Sequence, residues 1–272
     1  PKTQPARKET AQRIALVTGG SGGIGAAICQ VLARAGMKVL VGYVQQADQA
    51  ENVVKALRAE DGEGEAVALD LRDSARIPNL AEGILDRVGE IDTVVCGAMA
   101  TWRRKRFTDM TPEDFAADFG LAVIGHARLL QVLLPRMAAR KFGRVIGIAS
   151  SVVCGAPPAE QSSYVAAKYG LVGLFRALAA EYSGAGITIN LVSPSLVDTD
   201  FTRDLPERVR KVMMLQSPLG RLCTPADVAA VVEEDPLHLG GQVHLDRVGF
   251  REASEEAFRQ GRGAVLDRPS HA

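Results

Sequence analysis

Short apolar runs recur along the chain, separated by longer stretches in which apolar residues return every three or four positions. The runs within RIALVTG, MKVLVGYV, EAVALD, IDTVVCG, GRVIGIAS, GITINLVS and GQVHLD are rich in β-branched residues and predict seven strands. Between them, segments such as 24–34, 47–60 and 74–88 have the length and spacing of crossover helices. Two longer helices are predicted at 112–140, with Thr111 as N-cap and Pro112 at the first helical position, and at 161–182. Strands that alternate with helices imply an α/β fold: one doubly wound domain with a seven-stranded parallel sheet and helices on both faces. The alternation breaks at about 201–226, just after the sixth strand. Ligands of such folds sit beyond the carboxyl ends of the strands, so this segment is placed to act as a lid. Residues 1–12 read as a flexible tail, 13–250 as the domain and 251–272 as a C-terminal extension.

Composition narrows the function more than the fold. Hydrophobic residues make up 47% of the 272 positions, enough to fill a core. Thirty-two basic residues balance 32 acidic ones, so no global field favours nucleic acid or anionic lipid, and any anion must be recognised locally. Cys29, Cys96, Cys154 and Cys223 lie far apart without paired spacing, which suggests reduced thiols in a cytoplasmic protein and no metal site. No run is read as long and apolar enough to span a membrane.

The densest signal is TGGSGGIG, Thr18 to Gly25, with five glycines in eight residues directly after the first strand. A strand that turns sharply into a helix leaves the first helical N–H groups unpaired, and glycines let a pyrophosphate approach them, as in a Rossmann-type dinucleotide site. The stretch parses either as G-x-G-x-x-G through Gly20, Gly22 and Gly25 or as T-G-x-x-x-G-x-G through Thr18, Gly19, Gly23 and Gly25. Sites that prefer NAD carry an acid at the end of the second strand. Here that strand ends Val41-Gly42-Tyr43-Val44, so NADP(H) is favoured over NAD(H), although no arginine or lysine stands at the matching place.

The second signal is SYVAAK, which sets Tyr164 and Lys168 one helical turn apart on one face. A lysine there can stabilise the phenolate, pull the tyrosine pKa down and make the phenol a usable general acid. Ser151, thirteen residues upstream of Tyr164 at the end of the fifth strand, can hydrogen-bond a substrate carbonyl.

With these residues in place the chain resembles the short-chain dehydrogenase/reductase family from about residue 13 to 250. The resemblance selects the second parsing of the glycine stretch. It implies a catalytic group of Ser151, Tyr164 and Lys168, the lysine also binding the nicotinamide ribose. It implies a cofactor site of Thr18, Gly19, Ser21, Gly23, Ile24, Gly25, Tyr43, Asp70 and Leu71 at the adenine, Gly97, Tyr164, Lys168, Pro194, Ser195, Val197 and Thr199. Cys154 and Gln161 are expected to line the substrate pocket. Within the family the opening QRIALVTGGSGGIGAAICQVLARAG is most similar to acetoacetyl-CoA reductases and 3-oxoacyl-[acyl carrier protein] reductases. That likeness implies an NADPH-dependent reductase of a 3-oxoacyl thioester, with acyl carrier protein as a partner. It also implies a homotetramer or homodimer joined through the helices at 112–140 and 161–182.

The sequence departs from the family pattern in several places. Cys96-Gly97-Ala98-Met99 replaces Asn-Asn-Ala-Gly, Ala122 stands where the family has an active-site asparagine that holds a relay water, and Pro194-Ser195 replaces Pro-Gly. The stretch between Ala230 and Gly240 reads as shortened. His126, one turn beyond Ala122, is a candidate to replace the relay. The basic run Arg103-Arg104-Lys105-Arg106 reads either as a solvated turn or as a contact for a CoA phosphate or an acidic carrier-protein face. The alternatives to a reductase are an NAD-dependent alcohol dehydrogenase of the same family and a cofactor-binding scaffold with impaired catalysis.

Overall fold

Apolar runs become strands here because both faces of the sheet are covered. In β1 (Ile14–Thr18), Ile14 and Leu16 point into one hydrophobic cluster while Ala15 and Val17 point into the other. The same alternation recurs in β2 (Lys38–Tyr43), where Leu40 joins the first cluster and Val39 and Val41 the second. The computed structural model describes residues 12–99, 104–154, 157–202, 205, 207–217, 220–234 and 245–246.

The remaining strands are β3 (Glu63–Ala68), β4 (Thr93–Cys96), β5 (Gly143–Ile148) and β6 (Ile187–Val192), with the two-residue β7 (Leu245–Asp246) paired to the edge of β6. Among the described residues the order is β3-β2-β1-β4-β5-β6-β7, and every pairing is parallel. The helices are α1 (Gly23–Arg34), α2 (Ala47–Ala59), α3 (Ile77–Val88), α4 (Pro112–Phe119), α5 (His126–Arg140), α6 (Ser162–Tyr182), α7 (Glu207–Gln216) and α8 (Pro225–Glu234). Ile28, Val54 and Val228 place α1, α2 and α8 on one face of the sheet. Ile84, Leu133 and Phe175 place α3, α5 and α6 on the other. Phe175 is fully buried, and the sheet admits it because a side chain at Gly147 of β5 would collide with its ring.

Several expectations shift. β3 starts at Glu63 rather than Glu65, because Glu63 and Gly64 already pair with Lys38 and Val39. α3 starts at Ile77 rather than Ser74, and α6 at Ser162 with Gln161 as N-cap. The long helix at 112–140 opens as predicted, with a capping box between Thr111 and Asp114, but it is interrupted by a π-helical turn, Gly120–Gly125. The whole run Pro112–Arg140 is long and apolar enough to cross a membrane by length and composition, which corrects the sequence expectation. Its apolar side lies on the sheet instead, with Leu129, Leu130, Leu133, Leu134 and Met137 buried there. The expected N-terminal tail to residue 11, the C-terminal extension, most of the shortened stretch and Arg103 lie outside the described residues.

Candidate active site

From β3 the chain crosses over α3 to β4 on the far side of β1, so the direction of winding reverses between β1 and β4. Loops diverge at such a reversal and leave a crevice beyond the strand ends. A cleft of about 1500 Å³ lies there, and every catalytic, cofactor and substrate candidate named above except Thr18 and Asp70 borders it. Leu205, Val209 and Met213 close one side, which puts part of the segment expected to be a lid against the cleft.

At one end the glycine turn is shaped for close approach. Gly19 has φ +69°, and a side chain on it would meet Ala98 Cα at 3.0 Å. A side chain on Gly25 would run into the Gly19 carbonyl, so α1 can start this close to β1 only without one. Gly22 caps α1, and Gly22, Gly23, Ile24 and Gly25 at the start of the helix line the cleft, where the unpaired first N–H groups of a helix favour an anion. These are the features a dinucleotide pyrophosphate requires.

Thr18 lies beneath this turn, 2% exposed. Its Oγ1 accepts from the N–H groups of Gly97 at 3.0 Å and Ala98 at 3.1 Å, and lies 3.2 Å from the Val95 carbonyl. Thr18 therefore shapes the cofactor end from below, tying the end of β1 to the segment after β4. The fourth partner of the hydroxyl is His126 Nε2 at 3.0 Å, and His126 Nδ1 lies 3.0 Å from the Ala122 carbonyl. Burial is the main cause that holds the ring neutral, with a pKa of about 4. Both ring nitrogens are thus engaged away from Lys168, and His126 does not take the place of the missing relay.

The chemical end is built on β5 and α6. Lys168 is 5% exposed and donates from Nζ to the Ile148 carbonyl at 2.8 Å. Desolvation lowers its pKa to about 8, against a smaller opposing effect of the Asp118 carboxylate on α4. Its Nζ is 5.7 Å from the centroid of the Tyr164 ring. The sequence led to a lowered tyrosine pKa, and the structure reverses that: burial raises it, outweighing a hydrogen bond from the Ser150 side chain that lowers it. Tyr164 is consequently held protonated. The Ser150 side chain is its hydrogen-bonding neighbour, and the backbone N–H of Ser151, the serine expected to hold a substrate carbonyl, is fixed to the Pro194 carbonyl at 2.8 Å. Both serines border the cleft.

Sequence reasoning missed three residues. Ser150 was visible only as the first of a serine pair. Asp118 shares a four-residue spacing with Ala122 and His126, the one signal that could have drawn attention to it. Arg72 borders the cleft and grips Asp70, with Nε and Nη2 donating to the carboxylate at 2.9 and 2.6 Å and the Arg72 N–H at 2.9 Å. That grip lowers the Asp70 pKa and explains why Asp70 is held back from the cleft wall. Of the basic run, Arg104 pairs with Glu160 at 3.0 Å and Lys105 with Asp114 at 2.5 Å, so two of its charges are already partnered. Cys154 and Gln161 both border the cleft, while burial pushes the Cys96 thiol pKa up.

Known proteins share this architecture. The short chain dehydrogenase profile matches residues 13–210. The 3-oxoacyl-[acyl-carrier-protein] reductase FabG of Pseudomonas aeruginosa is 37% identical over 220 residues, which cover 81% of this chain and 88% of that protein. The acetoacetyl-CoA reductase of Rhizobium meliloti is 37% identical over 224 residues, 81% of this chain and 89% of that one. The cis-4-hydroxycyclohexanecarboxylate dehydrogenase of Sinomonas cyclohexanicum is 34% identical over 236 residues, 82% of this chain and 88% of that one. Among solved structures, the crystal structure of gox2181 superposes with a TM-score of 0.81 at 27% identity, covering 89% of this chain and 96% of that one. The profile spans β1 to β6, the glycine turn and the helix that carries Tyr164 and Lys168, and on that evidence the chain belongs to the short-chain dehydrogenase family.

Proposed function

We propose that this protein reduces the keto group of a 3-oxoacyl thioester with NADPH. Membership of the family makes it an NAD(P)-dependent oxidoreductase. The observation that supports reduction is the half-buried Tyr164 phenol at the wall of a glycine-cradled cleft, placed to give a proton to a bound carbonyl oxygen. Reduction of a carbonyl needs a proton donor at the oxygen, and a tyrosine kept neutral by its surroundings is already in the donating form. The thioester substrate is supported by the names of the relatives, and acyl carrier protein is the partner that such a substrate brings. NADPH is supported by the cleft wall at Tyr43, Val44, Gln45 and Gln46, which offers no carboxylate to a 2′-phosphate, and by Arg72 in the turn after β3, which also borders the cleft.

The nicotinamide, when bound, supplies the hydride that reaches the carbonyl carbon. Tyr164 passes its hydroxyl proton to the carbonyl oxygen as charge develops there. Ser151 holds that oxygen from the other side, and Ser150 orients the tyrosine. The Lys168 ammonium, fixed by Ile148, stabilises the phenolate left behind and binds the ribose. Exposed Ile124 in the π-helical turn of the 112–140 run and exposed Tyr169 in α6 support pairing of two copies through these two helices.

The test is oxidation of NADPH and of NADH by purified protein with acetoacetyl-CoA, beside Tyr164→Phe. The reading expects NADPH turnover that the variant reduces by about 10²- to 10⁴-fold. Turnover that survives the variant, or turnover confined to alcohols with NAD, would overturn it.

A further inference from the structure

His126 is buried to 1% exposure at the start of α5, yet its two ring nitrogens reach two parts of the molecule that handle different molecules. Nδ1 faces the Ala122 carbonyl inside the π-helical turn, whose Gly120 and Leu121 border the cleft on the side of Tyr164. Nε2 faces Thr18, beneath the cofactor end. A carbonyl can only accept, so Nδ1 carries the single proton of the neutral ring and Nε2 must accept from the Thr18 hydroxyl. The two lone pairs of that hydroxyl take the N–H groups of Gly97 and Ala98, and its one proton goes to the ring. Every donor and acceptor in the chain Ala122, His126, Thr18, Gly97 and Ala98 then has one partner of the right kind. The Val95 carbonyl offers the same proton a second acceptor at 3.2 Å, but only the arrangement that gives it to the ring leaves Nε2 satisfied, and a fully satisfied buried polar chain is rigid.

We propose that His126 is a positioning residue that locks the π-helical wall of the substrate side to the strand ends that hold the cofactor. It sets the distance between the two reactants. The Val95 carbonyl, 3.2 Å from Thr18 Oγ1, defines what its loss would do. Without the ring the Thr18 proton turns to Val95, so Gly97 and Ala98 stay in place and the cofactor still binds. What is lost is the connection from there to the π-helical turn.

The inference rests on the cofactor reading of the cleft and not on the choice of thioester. Amide hydrogen exchange with NADPH or NADH as the probe therefore tests it without turnover. In the wild type, cofactor slows exchange in the glycine turn, residues 18–25, and also in Gly120–Gly125. In His126→Leu, which fills the space without an acceptor, protection remains at 18–25 and is lost at 120–125. His126→Gln, whose carboxamide oxygen can accept from Thr18, restores it. With acetoacetyl-CoA, kcat of His126→Leu falls roughly 10- to 100-fold with little change in cofactor affinity, the cost of misplaced reactants, and His126→Gln recovers most of it. Should His126→Leu fail to fold, His126→Met against His126→Gln makes the same comparison while leaving the Thr18 hydroxyl and its bonds to Gly97 and Ala98 in place. Protection at 120–125 that survives His126→Leu, or is not restored by His126→Gln, overturns the inference. Absence of protection at 18–25 with either cofactor overturns the cofactor reading and the inference together.

Discussion

Lys168→Met separates stability from function in a measurable way. Lys168 is 5% exposed, and among the described residues its ammonium donates to the Ile148 carbonyl. Its pKa falls from 10.5 to about 8 because burial disfavours the charge more than Asp118 supports it. At 1.36 kcal/mol per pH unit, the folded protein carries a penalty of about 3 kcal/mol wherever the lysine is charged in both states. The sign follows from proton binding: the folded state holds this proton less tightly, so stability rises as pH increases from 8 towards 10.5 and the penalty is complete below 8. Methionine removes the charge at similar volume and forfeits a charge-assisted hydrogen bond of about 1.5–3 kcal/mol. Lys168→Met should therefore be more stable than the wild type at pH 7 by up to about 1–2 kcal/mol, although it loses turnover. Urea unfolding of both proteins without cofactor, at pH 7 and pH 10, reads this directly. The advantage of the variant should shrink by about 2–3 kcal/mol at pH 10, where the wild type sheds its penalty. A variant that is less stable at pH 7 by the same margin at pH 10 would refute the claim that this lysine is held at a cost.

Phe175→Ala empties space against Gly147 in the middle of the sheet and should lower the unfolding free energy by about 3–5 kcal/mol, read from denaturant midpoints; a loss below about 1 kcal/mol would contradict the packing described. Gly25→Ala forces a side chain into the Gly19 carbonyl and should weaken NADPH binding, measured by nicotinamide fluorescence, more than the same change at Gly83, where nothing lies within 4 Å of an added Cβ. His126 is neutral when folded, with a pKa of about 4 against an ordinary 6.5. Its contribution is complete above pH 6.5 and is lost as pH falls towards 4, a decline of up to about 3 kcal/mol. His126→Gln should lack that part of the acid dependence in unfolding titrations, and an unchanged profile would argue against a buried neutral ring.

The sequence revealed the parts of this molecule that depend on neighbours in the chain. Apolar runs such as Ile14–Val17 and Ile187–Val192 become strands because their side chains alternate between two covered faces, and Tyr164 and Lys168 share a face because they lie one turn apart. Glu63 and Gly64 escaped notice since a glycine beside two acids looks like a loop until β2 supplies the hydrogen-bond partners. The π-helical turn was hidden because GLAVIG has the apolar content of any buried helix, and nothing local marks a widened turn. Thr18 and His126 are 108 residues apart. Only the sheet order brings them together, and no spacing rule applies across such a separation. The raised pKa of Tyr164 was misjudged for a related reason: spacing places a lysine one turn away but says nothing of how deeply both groups are buried.

The widened turn at Gly120–Gly125 fixes the phase of everything that follows it in α5. Each residue of an α-helix advances the face by about 100°, and a π-helical turn holds one residue more than the regular helix would. Closing the turn into an ordinary helix with all six of its residues kept would rotate α5 by about that angle about its axis. Leu129, Leu133 and Met137 would leave the sheet, and His126 would swing away from Thr18 in the same movement. The widening between Phe119 and His126 is thus held at both ends by contacts that tolerate no rotation, those of α5 on the sheet and that of His126 with Thr18.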